Sequence, residues 1–186
     1  MQESYRLKKM ASLVDRAEKV LDLGCAQMPN PYLSNEHVIG LDMVDSEMPE
    51  NYSEFVIGNA SELPKPFDNG KFDGIVAGEL IEHLERPVDF LRRCRETLRP
   101  GGDLILSTPN PNSPWERLLT ITLSRRWMYS SEHVCLYPQR WLIRLLERAG
   151  FEDVRLYSGG IQSPWGLVPF PRAWCYQTIG QARRPQ

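Results

Sequence analysis

Short apolar runs, each closed by a glycine or a polar residue, recur along the whole chain. Runs of this length, bounded by turn-forming residues, are typical of strands buried inside a parallel sheet. The predicted strands cover residues 20–24, 37–41, 55–57, 72–77, 104–107 and 154–157, with 174–181 as a candidate for a seventh.

Apolar residues spaced three and four positions apart predict helices between some of these strands. The helical segments cover residues 4–17, 88–98 and 141–149. Strands that alternate with helices form parallel βαβ units joined by right-handed crossovers. We therefore predict an α/β fold with a seven-stranded, mostly parallel sheet flanked by helices, in a single domain spanning residues 1–186.

The predicted connections are uneven in length. Residues 27–36 are short and contain proline, which leaves room for one or two helical turns at most, and residues 42–55 are too short and proline-interrupted for a full helix. Residues 109–138 and 159–171 are long and rich in proline and aromatic residues. Because open α/β sheets bind ligands beyond the carboxyl ends of their strands, we expect these long segments to lie beside a binding site.

Composition and charge exclude several classes of protein. A length of 186 residues suits one domain, and a net charge of −2 gives no general attraction to nucleic acid or membranes. The four cysteines are widely spaced and form no CxxC pair, so no disulfide framework is indicated. The first residues contain no apolar h-region, and no run of about 18 apolar residues occurs, so we expect neither a signal peptide nor a membrane-spanning helix. We expect a soluble cytoplasmic protein without a membrane partner, and oligomeric state stays open.

Two features near the N-terminus suit a nucleoside ligand. The run Asp22-Leu23-Gly24-Cys25-Ala26 provides a tight turn after the first strand, and Asp42 places a carboxylate at the end of the second strand. On an open α/β sheet these positions approach a ligand closely and bind its ribose hydroxyls. NAD-binding domains share both features, so at this point the ligand is undecided.

A longer series of motifs resembles one family. The runs VLDLGCA, VIGLD, IGNASELPKPFDNGKFDGIVAGELIEHL and LRPGGDLILSTPN occur in this order. Together they resemble the class I S-adenosylmethionine-dependent methyltransferases, in particular methyltransferase type 11 domains. The resemblance implies a Rossmann-like fold, S-adenosylmethionine as cofactor, a cofactor-binding half in residues 1–108 and a substrate-side half in residues 109–186.

The resemblance also assigns cofactor-binding positions. Gly24 would line the methionine part, Asp42 would bind the ribose diol, and Asn59 and Ala60 would face the adenine. The full predicted set is Asp22, Gly24, Cys25, Ala26, Asp42, Met43, Asn59, Ala60, Gly78 and Glu79.

The glycine motif departs from the family pattern. The family usually has glycines where this chain has Ala26 and Met28, and alanine disfavours a positive φ. This departure motivates a second hypothesis, a non-catalytic cofactor-binding or interaction module. A third hypothesis, an NAD-linked oxidoreductase, is disfavoured because GxGxxG is absent after the first strand and because LRPGG is a methyltransferase feature.

A cluster of acids and histidines suggests a metal site. On a helical turn, Glu79, Glu82 and His83 would share one side, and His133 could add a fourth ligand. Carboxylates and imidazoles bind hard and borderline divalent ions. Two alternatives stay open: the Glu-His pair could be purely structural, or His83 or His133 could act as the catalytic base without a metal.

This cluster resembles two groups of O-methyltransferases. The ubiquinone-biosynthesis enzymes carry an ExxEH run here, and the small-RNA 2′-O-methyltransferases carry ExxEH with a later histidine. In those groups the ion holds the acceptor hydroxyl. The segments 114–129 and 165–174 mix arginines with aromatic residues, which suits a lid over an organic acceptor or contact with RNA. We predict O-methyl transfer to a small molecule or glycan, with RNA as the less favoured acceptor.

Overall fold

A computed structural model describes residues 4–63, 67, 70–114, 116–118, 133–163, 166–168 and 171–186, with 161–163 and 166–168 described by their backbone alone. The helices are α1 (Ser4–Leu13), α2 (Pro87–Thr97) and α3 (Gln139–Arg148), with 3-10 turns at Ile81–His83 and Arg172–Trp174. The strands are β1 (Lys19–Leu23), β2 (His37–Asp42), β3 (Glu54–Ile57), β4 (Phe72–Gly78), β5 (Leu98–Pro109), β6 (Glu152–Ser158), β7 (Ile161–Ser163), β8 (Gly166–Val168) and β9 (Gln177–Arg183).

Seven of the strands form one sheet in the order β3-β2-β1-β4-β5-β9-β6. The strands from β1 to β5 pair in parallel, whereas β9 runs antiparallel to both β5 and β6. The predicted seven-stranded, mostly parallel Rossmann-like sheet is confirmed. The order reverses direction between β1 and β4, and open sheets bind ligands at such a switch point, outside the carboxyl ends of the strands.

The two faces of the sheet carry different layers. Successive residues of a strand point to opposite faces, so Leu104 and Ile105 of β5 belong to different clusters of buried side chains. Helices α2 and α3 cover one face through buried residues such as Phe90 and Leu142. Helix α1 covers the other face, where Met10 is fully buried. Burial of apolar area on both faces is the main stabilising contribution and holds the strand ends at fixed positions.

Neither of the short connections contains a helix, although the sequence left room for one or two turns in the first. Residues 24–36 and 43–53 form turns and bends only. Buried side chains from these loops, Leu33 and Tyr52, cover the face of the sheet that α1 leaves open. The side chain of Asn51 donates hydrogen bonds of 3.0 Å to the backbone oxygens of Asn30 and Leu33, which ties the two loops together.

Several other boundaries differ from the predicted ones. The first helix ends at Leu13 rather than at residue 17, and β5 starts at Leu98, so the LRPGG run lies within the strand. The segment 159–171, predicted to be a loop, contains the hairpin of β7 and β8. None of the helices in the described part of the chain is long and apolar enough to cross a membrane.

Candidate functional site

A cavity of about 770 Å³ opens at the carboxyl ends of β1, β2 and β4, where the strand order reverses. Most of the predicted site residues line it: Asp22, Gly24, Cys25, Asp42, Met43, Asn59, Ala60, Gly78, Glu79, His83 and His133. Ala26 and Glu82 are not among its described lining residues. The sheet therefore brings side chains from distant parts of the sequence into one crevice.

A larger groove of about 1090 Å³ runs along the start of α2. It meets the crevice at Ser61, His83 and Leu84, which line both. The groove contains neither Gly24 nor Asp42 among its described lining residues. The predicted nucleoside-binding positions thus converge on the smaller crevice.

The turn after β1 depends on one glycine. Gly24 has a φ of 71°, and its N–H donates a 2.8 Å hydrogen bond to the backbone oxygen of Leu41. An added Cβ would lie 3.2 Å from Leu80 Cδ1, so both conformation and space favour glycine. Among the described residues, Ala26 is not one of those with positive φ. The alanine in the altered motif is therefore compatible with the observed turn.

Asp42 links the ends of β1 and β2. One carboxylate oxygen accepts a 2.8 Å hydrogen bond from the backbone N–H of Ala26, and the other accepts one of 2.9 Å from the N–H of Val44. Each carboxylate oxygen has a second lone pair, so the group can still accept hydrogen bonds from a ligand in the crevice. These contacts orient the carboxylate at the wall of the cavity.

A buried polar network supports the floor of the crevice. The hydroxyl of Tyr52 donates to the Asp22 carboxylate and accepts a 2.9 Å hydrogen bond from the backbone N–H of Asn30. Burial raises the pKa of Asp22 from 3.8 to about 7, although Tyr52 opposes the shift. Burial likewise raises the pKa of the neighbouring Cys25 thiol to about 12, which keeps it protonated and unreactive. Sequence reasoning missed Tyr52, and no motif marks it.

Arg6 enters the crevice from α1 and was also missed. Its Nη1 donates a 2.7 Å hydrogen bond to Ser107 Oγ and lies 3.8 Å from Glu79 Oε1. The Ser107 hydroxyl in turn donates a 2.8 Å hydrogen bond to Glu79 Oε1. The helical spacing could have indicated that Arg6 is buried, because position 6 precedes Met10 by four residues and so falls on the buried face of the helix.

Glu79 does not lie on a helical turn with Glu82 and His83, as its spacing had suggested. It has a φ of 51°, and the 3-10 turn starts after it, at Ile81. Its backbone N–H donates a 3.0 Å hydrogen bond to the backbone carbonyl oxygen of Ser107, which fixes this left-handed conformation at the end of β4. Non-glycine residues in this region of φ are strained and concentrate at functional sites.

The remaining acid and histidines do come together. Ligand atoms of Glu82, His83 and His133 lie within 4.8 Å of one another, and the two imidazole centroids are 4.7 Å apart. Backbone N–H groups of Val134 and Cys135 donate hydrogen bonds of 2.8 and 3.2 Å to the backbone carbonyl oxygen of Glu82. These bonds attach the later segment to the 3-10 turn and place His133 beside His83.

Glu82 could provide a carboxylate ligand to a metal ion. Its side chain is fully buried, and Oε2 accepts a 3.1 Å hydrogen bond from Thr108 Oγ1. Oε1 has no hydrogen-bond partner among the described residues. Burial, reinforced by the charge of Glu79, raises the pKa of Glu82 to about 8. A buried carboxylate oxygen without a donor, beside two imidazoles, fits a divalent ion.

The acceptor side is only partly described. Of the segment 114–129, residues 115 and 119–129 lie outside the described residues, as do 164–165 and 169–170. Trp174, in the 3-10 turn after this segment, is 57% exposed. The predicted contacts of these segments with an acceptor therefore stay predictions.

Sequence comparisons relate the chain to known methyltransferases. A family profile described as "Methyltransferase domain" matches residues 2–156. A probable S-adenosylmethionine-dependent methyltransferase of Mycolicibacterium smegmatis is 33% identical over 141 residues, covering 72% of this chain and 51% of that protein. A ubiquinone biosynthesis O-methyltransferase of Roseobacter denitrificans is 27% identical over 179 residues, covering 88% and 68%. The chain spans about half or less of the first curated relatives' lengths, at 51%, 31% and 36%.

Solved structures share the fold. A possible histamine N-methyltransferase of Thermotoga maritima superposes with a TM-score of 0.74 at 17% identity, covering 98% of this chain and 89% of the other. The methyltransferase domain of bacterial CtHen1 gives a TM-score of 0.65 at 20% identity, with coverage of 98% and 100%. The switch-point crevice and the profile match over most of the chain lead to one conclusion: the chain belongs to the family of S-adenosylmethionine-dependent methyltransferase domains.

Proposed function

We propose that this protein transfers the methyl group of S-adenosylmethionine to a hydroxyl oxygen of a small molecule or glycan. The observation that carries the proposal is that His83 and His133 line the same cavity as Gly24 and Asp42. A methyl donor held by the glycine turn and the carboxylate would therefore lie next to groups that can accept a proton. Such proximity is what oxygen methylation requires of a protein.

The cofactor residues have separate roles in this proposal. Asp42 binds the ribose hydroxyls, and Asn59 and Ala60 border the adenine. Gly24 leaves room for the methionine chain because it has no side chain. The sulfonium carbon is already electrophilic, so the protein's main task is to align the acceptor for in-line displacement and to exclude water.

Glu82, His83 and His133 are the residues that would hold a divalent ion. The fit rests on the two adjacent imidazoles and on the buried Oε1 of Glu82, for which the described part of the chain provides no hydrogen-bond donor. An ion bound there supplies a Lewis acid that lowers the pKa of an acceptor hydroxyl. Without an ion, His83 or His133 takes the proton directly, since both reach the cavity. Glu79 takes the position nearest the cofactor, where Ser107 orients its carboxylate.

A second acceptor class, the 2′-hydroxyl of RNA, is favoured by one observation. His133 follows the ExxEH run by 50 positions, yet its ring contacts that of His83. This juxtaposition matches the pattern of ExxEH plus a later histidine noted above for small-RNA 2′-O-methyltransferases. RNA therefore belongs in the acceptor panel beside phenols and sugars.

Cofactor binding is the first test. Titration calorimetry with S-adenosylhomocysteine is expected to give a micromolar dissociation constant, and NAD is expected not to bind. A folded protein that binds neither compound would support the non-catalytic interaction module instead. Binding of NAD alone would support the oxidoreductase hypothesis.

Methyl transfer is the second test. The protein is incubated with radiolabelled S-adenosylmethionine and, separately, catechols, sugars or short RNA, with EDTA or with added Mg²⁺ or Mn²⁺. We expect transfer to one hydroxyl class, lost on chelation and restored by a metal. Unchanged rates after complete chelation contradict the metal role, and transfer only to RNA selects the second acceptor class.

The chain offers a matched control for the metal ligands. It has three histidines, and the third, His37, is exposed on β2 outside the cluster. Glu82→Gln and His133→Ala are expected to weaken Mn²⁺ binding at least about 10-fold, because loss of even a group that only supports a metal ligand typically costs that much. His37→Ala is expected to leave it unchanged. Equal Mn²⁺ affinity in all variants would place the ion elsewhere.

A further inference from the structure

We infer that Thr108 is a positioning residue for the candidate metal site: its hydroxyl holds the Glu82 carboxylate in the orientation in which it binds a divalent ion together with His83 and His133. The inference rests on the metal role given under the proposed function. It concerns a residue of β5 that was not among the predicted site residues and is not among the described residues that line the crevice.

Two adjacent hydroxyls at the end of β5 hold the two acids of the ExxEH run separately. Ser107 Oγ donates a 2.8 Å hydrogen bond to Glu79 Oε1, and Thr108 Oγ1 donates one of 3.1 Å to Glu82 Oε2. Successive residues of a strand point to opposite faces of the sheet. Each acid is therefore tied to its own hydroxyl, and Glu82 is the one that meets the histidines.

The bond from Thr108 determines where the second oxygen of Glu82 points. Both residues are fully buried, and Oε1 of Glu82 has no hydrogen-bond donor among the described residues. Because a carboxylate is planar, fixing Oε2 also restricts the direction of Oε1. The threonine thus uses one oxygen and leaves the other for an ion.

The main chain and the side chain of Glu82 are held by different elements. Its backbone oxygen accepts the N–H groups of Val134 and Cys135, which join it to the segment that carries His133. These bonds leave the side-chain torsions of Glu82 undetermined. The hydroxyl of Thr108, a β-branched residue with a restricted χ1, provides the remaining constraint.

A role in packing alone accounts poorly for this pair. Burying a carboxylate and a hydroxyl costs free energy that apolar side chains of similar volume would not. The pair lies where ligand atoms of Glu82, His83 and His133 come within 4.8 Å of one another. Partners that orient metal ligands through hydrogen bonds are a regular part of metal sites.

Mn²⁺ affinity tests the inference without any methyl acceptor. Electron paramagnetic resonance measures free Mn²⁺ in titrations of the wild type and of each variant. Thr108→Val, which keeps the shape but removes the hydroxyl, is expected to weaken binding about 10- to 100-fold. Thr108→Ala, which removes the hydroxyl without adding a methyl group in its place, should do the same. Thr108→Ser, which keeps the hydroxyl, should bind Mn²⁺ nearly as wild type does.

Two further variants separate positioning from general damage. Thr97→Val removes a hydroxyl from another buried threonine, at the last residue of α2, and is expected to leave Mn²⁺ affinity unchanged. In the Glu82→Gln background, Thr108→Val is expected to cause little additional loss, because the threonine acts through the carboxylate. Calorimetry with S-adenosylhomocysteine should give the wild-type affinity for the Thr108 variants, which shows that the crevice is intact.

The outcomes distinguish this inference from the proposed function. Equal Mn²⁺ affinity of wild type and Thr108→Val would overturn the inference and leave the metal site in place. Equally weak binding by Thr108→Ser and Thr108→Val, or a full additional loss in the Glu82→Gln background, would also overturn it. If the wild type binds S-adenosylhomocysteine but no Mn²⁺, the metal role fails and this inference fails with it, whereas the methyltransferase assignment stands.

Discussion

The hydroxyl of Tyr52 donates a hydrogen bond to the buried carboxyl group of Asp22, joining the loop before β3 to the strand that leads into the Gly24 turn. The same hydroxyl accepts the backbone N–H of Asn30. One phenol therefore satisfies a hydrogen-bond donor and an acceptor that are both buried. In a chain whose first two crossovers lack helices, this network substitutes for the helical packing that would otherwise hold the loops.

Removal of this hydroxyl is expected to destabilise the fold. Tyr52→Phe leaves the Asp22 carboxyl and the Asn30 N–H without their partner, which should cost about 1–3 kcal/mol of the free energy of unfolding. Tyr32→Phe is the control, because Tyr32 is 38% exposed. Urea denaturation at neutral pH measures both variants. Equal stability of the two variants would show that the network contributes nothing.

The raised pKa of Asp22 predicts a pH-dependent difference between wild type and Asp22→Asn. Burial raises the pKa of this carboxyl from 3.8 to about 7, so the folded state holds a proton that the unfolded state releases. Its contribution to stability is complete below about pH 4 and is lost as pH rises toward 7. The advantage of Asp22→Asn over wild type should therefore grow across this window, by at most about 1.4 kcal/mol per pH unit, and level off above it.

Urea denaturation at about pH 4, 5, 6, 7 and 8 measures this difference. Glu54→Gln, at an exposed position of β3, is the control and should show no trend of this kind. A difference between Asp22→Asn and wild type that is constant with pH would contradict the raised pKa. A difference that shrinks with rising pH would mean that folding lowers the pKa of Asp22 instead of raising it.

Restoration of the family glycine at Ala26 is expected to bring no gain in cofactor binding. Gly24 already provides the left-handed residue of the turn, and Ala26 is not among the described residues with positive φ. Ala26→Gly should bind S-adenosylhomocysteine with unchanged affinity and lose about 0.4–1 kcal/mol of stability through unfolded-state entropy. Calorimetry and denaturation measure the two effects. A marked increase in affinity would mean that the alanine does distort the bound loop.

Asp42 is expected to recognise the ribose. Wild-type protein should bind S-adenosylhomocysteine about 10- to 100-fold more tightly than its 2′-deoxy analogue, whereas Asp42→Ala should bind both alike. The comparison of two ligands matters because Asp42 also accepts the Ala26 N–H, so its loss can weaken any ligand. Asp45→Ala, at an exposed position three residues later, is the control. Retained discrimination in Asp42→Ala would assign ribose recognition to another group.

The turn after β1 and the carboxylate at the end of β2 were predictable because their determinants are local. The strand runs follow from hydrophobic patterning, Gly24 follows from the need for a positive φ at a tight turn, and Asp42 follows from its place at a strand end. Such features depend on neighbouring residues in the sequence. The alternation of strands and helices then leaves few arrangements for the sheet.

The tertiary structure alone decided which groups meet inside the crevice. Arg6 and Ser107 are separated by 101 positions, and their contact exists because α1 packs across the face of the sheet near the end of β5. Glu79 is a case in which the local sequence pattern predicted a contact that the structure does not contain. Its spacing predicted a helical turn with Glu82, but its N–H bonds to the neighbouring strand at Ser107 and holds it in a left-handed conformation. Local patterns determine elements, whereas hydrogen bonds between strands and helices distant in sequence determine where each side chain points.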